Sequence, residues 1–206
     1  MTHTLIVFDH PYGAGAWQNE PHHRSLSAAL LRAAIDGLAD AGRSVDVIDL
    51  AADGFSPVMT ADDLRAWRAN GAIDPLVLDY QRRLGEAEHL VFIHPTWWMG
   101  MPAGTKGFLD RVLTRGFAFD EPRIGGALVN RLHGLRSVTV LTPMTTQGGV
   151  YRWWFGRPGH RILFRGTFGL IGIRRLRWFG YGRSTQRGAQ SRERALARTR
   201  AYFARR

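Results

Sequence analysis

The run His89-Leu-Val-Phe-Ile-His-Pro-Thr-Trp-Trp-Met-Gly-Met-Pro-Ala-Gly-Thr-Lys-Gly-Phe-Leu-Asp-Arg-Val112 decides the fold. Its first seven residues, HLVFIHP, form a short apolar run that reads as a strand buried on both faces. The loop Thr96 to Gly104 follows, and then Phe108, Leu109, Val112 and Leu113 share one helical face. The same strand–loop–helix unit recurs on either side. Thr4 to Asp9 (TLIVFD) is a strand, and His10 to Arg24, with Pro11, Gly13, Gly15, Asn19 and Pro21, is a loop. Ser25 is a helix N-cap ahead of Leu26, Ala29, Leu30, Ala33, Ala34 and Leu38, and Gly42 ends that helix. Val45 to Leu50 is the second strand. Thr60 to Asn70 opens with a Thr-x-x-Asp capping pattern, and a further helix spans Pro75 to Leu84.

Downstream, Ser137 to Thr142 (SVTVLT) is the fourth strand. A helix over Arg161 to Ile171, a fifth strand over Leu176 to Phe179 and an arginine-rich helix over Gln186 to Arg206 complete the chain. In that last helix Ala195, Leu196, Thr199 and Phe203 are expected to face the sheet. Alternating strands and helices imply an open α/β sheet of five parallel strands, doubly wound with helices on both faces. With no repeat and no low-complexity linker, residues 1–206 read as one domain. Ligands of such sheets bind outside the carboxyl ends of the strands, so the loops after the first, third and fourth strands are the informative ones.

Composition narrows the chemistry. There is no cysteine, which excludes disulfides, thiolate metal sites and thiol nucleophiles, and leaves any redox chemistry to a cofactor. No apolar stretch approaches the roughly 18 residues of a membrane span. The first strand follows the N-terminus directly, so the expectation is a cytoplasmic protein without a signal peptide. The net charge of +11 is almost all arginine, Lys106 being the one lysine. The C-terminal arginines, among them Arg174, Arg175, Arg177, Arg187, Arg192, Arg194 and Arg198, fit nucleic acid, anionic lipid or an anionic nucleotide. A solvated helix face explains them with fewer assumptions, and nucleic acid is the weakest of these readings.

The first loop lacks G-x-G-x-x-G but sets His10, Arg24, Ser25 and Ser27 around a helix start, where free N–H groups and two hydroxyls suit a phosphate. Ser25 as a plain N-cap is the competing reading. His22 and His23 lack companion ligands, so no metal is expected. In the loop after the third strand, adjacent Trp97 and Trp98 between Pro95 and Pro102 suit a flat cofactor that needs aromatic walls and rigidly held N–H donors. On an extended segment the two side chains point opposite ways, so one core is not expected to bury both.

Taken in order, His10-Pro11, Arg24-Ser25-Leu26-Ser27, Pro95-Thr96-Trp97-Trp98-Met99-Gly100-Met101-Pro102, Lys106-Gly107-Phe108-Leu109-Asp110-Arg111-Val112 and Thr145-Thr146-Gln147-Gly148-Gly149 resemble the NAD(P)H:quinone reductase (DT-diaphorase) family. That group also contains modulator-of-drug-activity proteins and ancillary oxidoreductases of potassium efflux systems. The resemblance runs from Thr4 to Gly149 and weakens afterwards. It implies a flavodoxin-like fold and a flavin-dependent oxidoreductase, with FAD first and FMN as the alternative. NAD(P)H is the implied co-substrate and a quinone or similar aromatic compound the acceptor. It also implies a ping-pong reaction.

Carried over by position, His10, Arg24, Ser25, Leu26 and Ser27 match the flavin phosphate loop. Pro95, Thr96, Trp97, Trp98 and Met99 match the segment lining the isoalloxazine, and Thr145, Thr146, Gly148 and Gly149 match the loop at its pyrimidine end. Tyr151 and His160 stand near the family's tyrosine and histidine that stabilise reduced flavin, but their spacing departs from the pattern, with Arg152, Trp153 and Trp154 intervening. The first loop is longer than in founding members, and its Tyr12 and Trp17 are candidates to cover the cofactor. A homodimer is implied, with Arg152 to Ile173 as its expected surface. The alternative class is an ancillary flavoprotein that docks on a membrane transporter, and it implies a peripheral membrane partner.

Overall fold

A computed structural model describes residues 3–18, 25–123 and 125–205. The strands are β1 (His3–Phe8), β2 (Ser44–Asp49), β3 (His89–Ile93), β4 (Phe119–Asp120), β5 (Val129–Asn130), β6 (Ser137–Pro143) and β7 (Leu176–Tyr181). The helices are α1 (Leu26–Asp40), α2 (Ala61–Arg68), α3 (Pro75–Glu86), α4 (Ala103–Val112), α5 (Pro158–Leu163) and α6 (Ala189–Phe203). Five strands form one parallel sheet in the order β2-β1-β3-β6-β7. The order reverses at β1 and β3, so their carboxyl ends frame the crevice where a ligand sits in this architecture.

Alternation along each strand builds two cores. Leu5 and Val7 of β1 join Leu90, Phe92, Val138 and Val140 beneath α3 and α4. Ile6 and Phe8 join Val91, Ile93 and Leu141 beneath α1 and α6. Burying both faces explains why these strands read as continuous apolar runs. On the second face α1 and α6 approach closely: a Cβ on Gly37 would lie 2.3 Å from the Arg200 carbonyl oxygen. Ala195, Thr199 and Phe203 turn inward as expected, while Leu196 is only partly buried. Ser25 caps α1, and Thr60 and Asp63 form the capping box of α2.

Three features depart from the sequence reading. The helix expected over Arg161 to Ile171 is α5 followed by a π-helical turn at Phe164–Phe168, and a second π-helical turn covers Val150–Trp154. The terminal helix starts at Ala189, after a short 3₁₀ turn at Ser184–Gln186. The antiparallel pair β4–β5 was not anticipated, because two residues per strand are too few to establish a period.

Candidate functional site

At the carboxyl end of the sheet a cavity of about 480 Å³ is lined by His10, Ser25, Leu26, Ser27, Pro95, Thr96, Trp97 and Thr145. All three informative loops therefore meet in one place. Arg24 lies outside the described residues, as do His22 and His23. Ser25 spends its hydroxyl on the cap, accepting from the Ala28 N–H at 3.2 Å. The Leu26 and Ser27 N–H groups, in the first turn of a fifteen-residue helix, are claimed by no described residue. His10 accepts the Tyr12 N–H at Nδ1, 3.2 Å away, which leaves Nε2 to carry the ring proton. Burial lowers the His10 pKa, opposed by Asp9 and Asp49, so the ring is a neutral donor near pH 7.

The tryptophan loop is a tight turn rather than the extended segment expected, and neither Trp97 nor Trp98 is buried, in keeping with the expectation that one core does not hold both. Trp97 and Gly100 exchange N–H···O bonds of 3.1 and 2.9 Å across Trp98 and Met99. Both central residues lie in the left-handed region, at φ 47° and 63°. For non-glycine residues that costs roughly 1–2 kcal/mol each and persists only where the surroundings impose it. The anchors are identifiable: the Thr96 N–H donates to Pro143 O at 2.8 Å, the Thr96 and Thr142 hydroxyls bond at 2.7 Å, and His94 Nδ1–H donates to Pro95 O at 2.9 Å. On the far side Asp9 takes the Thr105 N–H and hydroxyl, at 2.5 and 2.7 Å, and so caps α4 where Pro102 has no capping side chain. The turn leaves the Trp98 and Met99 N–H groups without a described partner and Trp98 wholly exposed.

The sequence reading missed Ser184, Thr185, Arg187 and Arg192, which close the same cavity from the segment after β7. The signal that points to this segment is its place after the fifth strand, since ligand loops follow the carboxyl ends of strands. The loop after β6 is pinned to it by Arg183 N–H to Thr146 O, 3.2 Å, and Ser184 N–H to Met144 O, 2.9 Å. Gly182 permits the approach, since a Cβ there would stand 2.7 Å from Gly148 N.

Tyr151 and His160 line a separate cavity of about 400 Å³, with Gly148, Trp178, Arg152, Arg157 and Arg177; Met144 borders both cavities. Tyr151 is 3% exposed and its hydroxyl has no hydrogen-bond partner of good geometry. Burial raises its pKa, and the Gly159 and His160 N–H groups pull the other way. Burial, followed by Arg157, Arg165 and Arg161, pushes His160 down to about 4. Thr146, Trp98, Met99 and Gly149 border neither cavity, although the Thr146 hydroxyl faces the Met99 sulfur at 4.0 Å. Tyr12 packs edge-on against His10, and Trp17 lies under Arg32, so neither covers the cavity. No three His, Asp or Glu side chains gather as metal ligands among the described residues.

A helix start and an aromatic turn that meet at the switch point of a parallel β2-β1-β3-β6-β7 sheet define an open, doubly wound α/β protein with its ligand crevice at the carboxyl end of the strands. A family model described as the flavodoxin-like fold matches residues 2–205, and the chain belongs to that family. It is 33% identical over 166 residues to ribosyldihydronicotinamide dehydrogenase [quinone] of Pongo abelii, covering 71% of this chain and 67% of the relative. Its fold matches an NAD(P)H:quinone oxidoreductase from Methanothermobacter marburgensis at a TM-score of 0.83 and 24% identity, over 98% of both chains. It also matches an FMN-dependent NADH-azoreductase from Bacillus anthracis, solved with FMN, at 0.76 and 17% identity, over 100% of this chain and 99% of that one. The protein is an oxidoreductase of the NAD(P)H dehydrogenase (quinone) type. No helix among the described residues is long and apolar enough to cross a membrane.

Proposed function

We propose that the protein is a cytoplasmic, flavin-dependent NAD(P)H:quinone reductase with FAD as its cofactor. The observation that carries this reading is the meeting of the α1 start, with its unclaimed Leu26 and Ser27 N–H groups, and the Pro95–Thr96–Trp97 segment in one crevice. The Leu26 and Ser27 N–H groups, the Ser27 hydroxyl and His10 Nε2–H suit a phosphate, and Trp97 offers a wall for a flat ring. FAD is favoured over FMN by continuity. Arg187 lines both this cavity and a groove of about 400 Å³ beside β7, where Ser191, Arg194 and Arg198 offer further donors to an adenylate half.

When bound, the flavin supplies the hydride relay, taking hydride at N5 from NAD(P)H and giving two electrons to a quinone or similar aromatic acceptor in a ping-pong cycle. The chain's own part is to bind, orient and stabilise charge. The Trp98 and Met99 N–H groups, in the turn beside the crevice, would hold the ring's edge acceptors, and the buried Tyr151 hydroxyl in the neighbouring cavity would keep its proton as a donor toward the pyrimidine end. His160 is neutral near pH 7, so Arg157 supplies the positive charge there.

A homodimer completes the proposal. The apolar groove of about 310 Å³ formed by Leu109, Leu113, Phe119, Leu128, Ile162 and Leu170 suits a second copy, because its rim charges, Lys106 and Asp110, already neutralise each other.

Titration of the purified protein with FAD and with FMN, followed by absorbance and flavin fluorescence, tests the cofactor. FAD is expected to bind more tightly, and Arg187→Ala to weaken FAD about tenfold while leaving FMN nearly unchanged. Equal losses for both cofactors would place only one phosphate near Arg187 and favour FMN. A protein that binds neither overturns the reading. Turnover of NADPH with a soluble quinone separates an enzyme from the second reading, an ancillary flavoprotein that docks on a transporter.

A further inference from the structure

Charge is divided sharply along this chain. Residues 1–121 hold sixteen of the seventeen acidic residues and ten basic ones, a net −6. Residues 122–206 hold one acidic residue, Glu193, and eighteen arginines, a net +17. Within the acid-free stretch the π-helical turn Val150–Trp154 and the residue after it present the largest exposed aromatic surface of the described residues. Trp153 is 79% exposed and Trp154 83%, with Phe155 and Val150 also exposed. Arg152, Arg161 and Arg165 are exposed beside them, and none has an acidic partner among the described residues. Trp98 belongs to the same end of the molecule, since the Met99 carbonyl lies 3.6 Å from a Cβ built on Gly159, at the start of α5.

We propose that this tryptophan–arginine turn docks the protein on the surface of an anionic lipid bilayer. The chemistry of the patch selects that partner. Indole rings prefer the headgroup region, where the flat apolar body is buried and the N–H stays wet. Exposed arginines without counter-charges gain from anionic headgroups near the surface. Aromatic insertion and charge attraction are the two signals that together make peripheral binding stable. A second copy fits less well. A two-fold contact sets the same patch against itself, and here that opposes unpaired arginines to unpaired arginines. The consequence is positional: docking brings the Trp97–Gly100 turn, and the crevice it borders, toward the phase in which apolar quinones dissolve. The proposal does not depend on flavin binding and is tested without it.

The experiment is flotation of the full-length protein with phosphatidylcholine vesicles, with and without phosphatidylglycerol, alongside light scattering for oligomeric state. Flotation is expected only with phosphatidylglycerol and is expected to fall as salt is raised. The double variant Trp153→Ser/Trp154→Ser is expected to bind the anionic vesicles at least about tenfold more weakly, with an unchanged thermal melt. Arg161→Glu/Arg165→Glu, two exposed substitutions, is expected to lose the salt-sensitive part. Failure to float on anionic vesicles overturns the proposal. So does a tryptophan variant that floats as well as the parent, or one that converts a dimer to a monomer, which would identify the patch as a self-interface. Binding to duplex DNA that competes with the vesicles and is lost in the same variant would assign the patch to nucleic acid instead.

Discussion

In the first 121 residues arginines are structural, and in the last 85 they are a field. Arg83 grips Asp46 through two bonds of 2.7 and 2.6 Å and adds Val47 O at 2.8 Å. Arg111 is 5% exposed, lies over the Phe55 ring and ties Ser56 O, Asp63 and Asp74 together. Downstream, by contrast, the ion pairs among the described residues are Arg131 on Asp120, Arg136 on Glu88 and Arg200 on Asp40, all at the surface and all on acids of the first region. Arg152, Arg157, Arg165, Arg177 and Arg192 instead edge cavities or turns, in a stretch where no carboxylate occurs in the sequence. One residue type thus does two jobs, and the neighbouring acids decide which. A paired guanidinium closes loops onto the sheet, whereas an unpaired one raises the local potential and draws anions.

The sharpest way to break this comparison is to remove one arginine from each side. Arg111→Leu leaves Asp63 and Asp74 facing each other without their cation, and it is expected to cost about 3 kcal/mol in urea unfolding. Arg161→Leu is expected to change stability by less than about 0.5 kcal/mol. A small loss at Arg111 would mean that the loop before α2 does not depend on this network. The next effect lies where the two regions meet. Gly37→Ala places a methyl 2.3 Å from the Arg200 carbonyl and 3.0 Å from Phe203 Cβ, so α6 must move. A loss of about 1–3 kcal/mol is expected, and the Arg200→Ala variant should not relieve it, because the obstacle is backbone.

How much of this was legible in sequence follows from range. The five-strand sheet was readable because strands buried on both faces are dense in apolar residues, and the caps at Ser25 and Thr60 because capping is local chemistry. The tryptophan turn was recognised as a ring-sized feature, but its conformation was not. Only long-range anchors, Thr96 on Pro143 and Thr142, hold Trp98 and Met99 in the left-handed region against their own preference. The π-helical turns were invisible for a related reason, since one extra residue per turn erases the 3.6-residue rhythm. Arg187 and Arg192 were seen as charge but not as walls, because their role depends on where β7 ends beside β6.

Acid sharpens the comparison through histidine. His94 is fully buried and His10 half-buried, and burial lowers both pKa values; His160 reaches about 4 through burial and three arginines. Near neutrality these rings are uncharged in the folded and the unfolded chain, and they favour neither. As pH falls below the ordinary histidine value, the unfolded chain takes up protons first, so stability declines until the folded groups titrate as well. The melting temperature is therefore expected to drop between pH 7 and pH 5. His160→Gln should flatten part of that drop, since burial first and the three arginines after it hold the ring neutral. An unchanged profile in His160→Gln would show that burial and the field of Arg157, Arg161 and Arg165 together do not depress this ring enough to matter.

The smallest effect is also the most direct reading of the two regimes. Arg82 on α3 bonds both Asp79 and Glu86 at the surface, whereas Arg165 has no acidic partner among the described residues and lies in a stretch of sequence without carboxylates. Replacing Arg82 by Gln removes attraction, so the variant should be slightly less stable than the parent. Replacing Arg165 by Gln removes repulsion, so it should be slightly more stable, by no more than about 0.5 kcal/mol. Both differences arise between solvent-exposed charges and must shrink when the screening length contracts from about 10 Å at 0.1 M salt to about 3 Å at 1 M. Opposite signs at low salt that converge at high salt would show that the acid-free stretch is a strained electrostatic surface, retained at some cost to stability. Equal signs would mean that Arg165 has found a partner through its stem rather than its charge, and the division of labour would then rest on Arg111 alone.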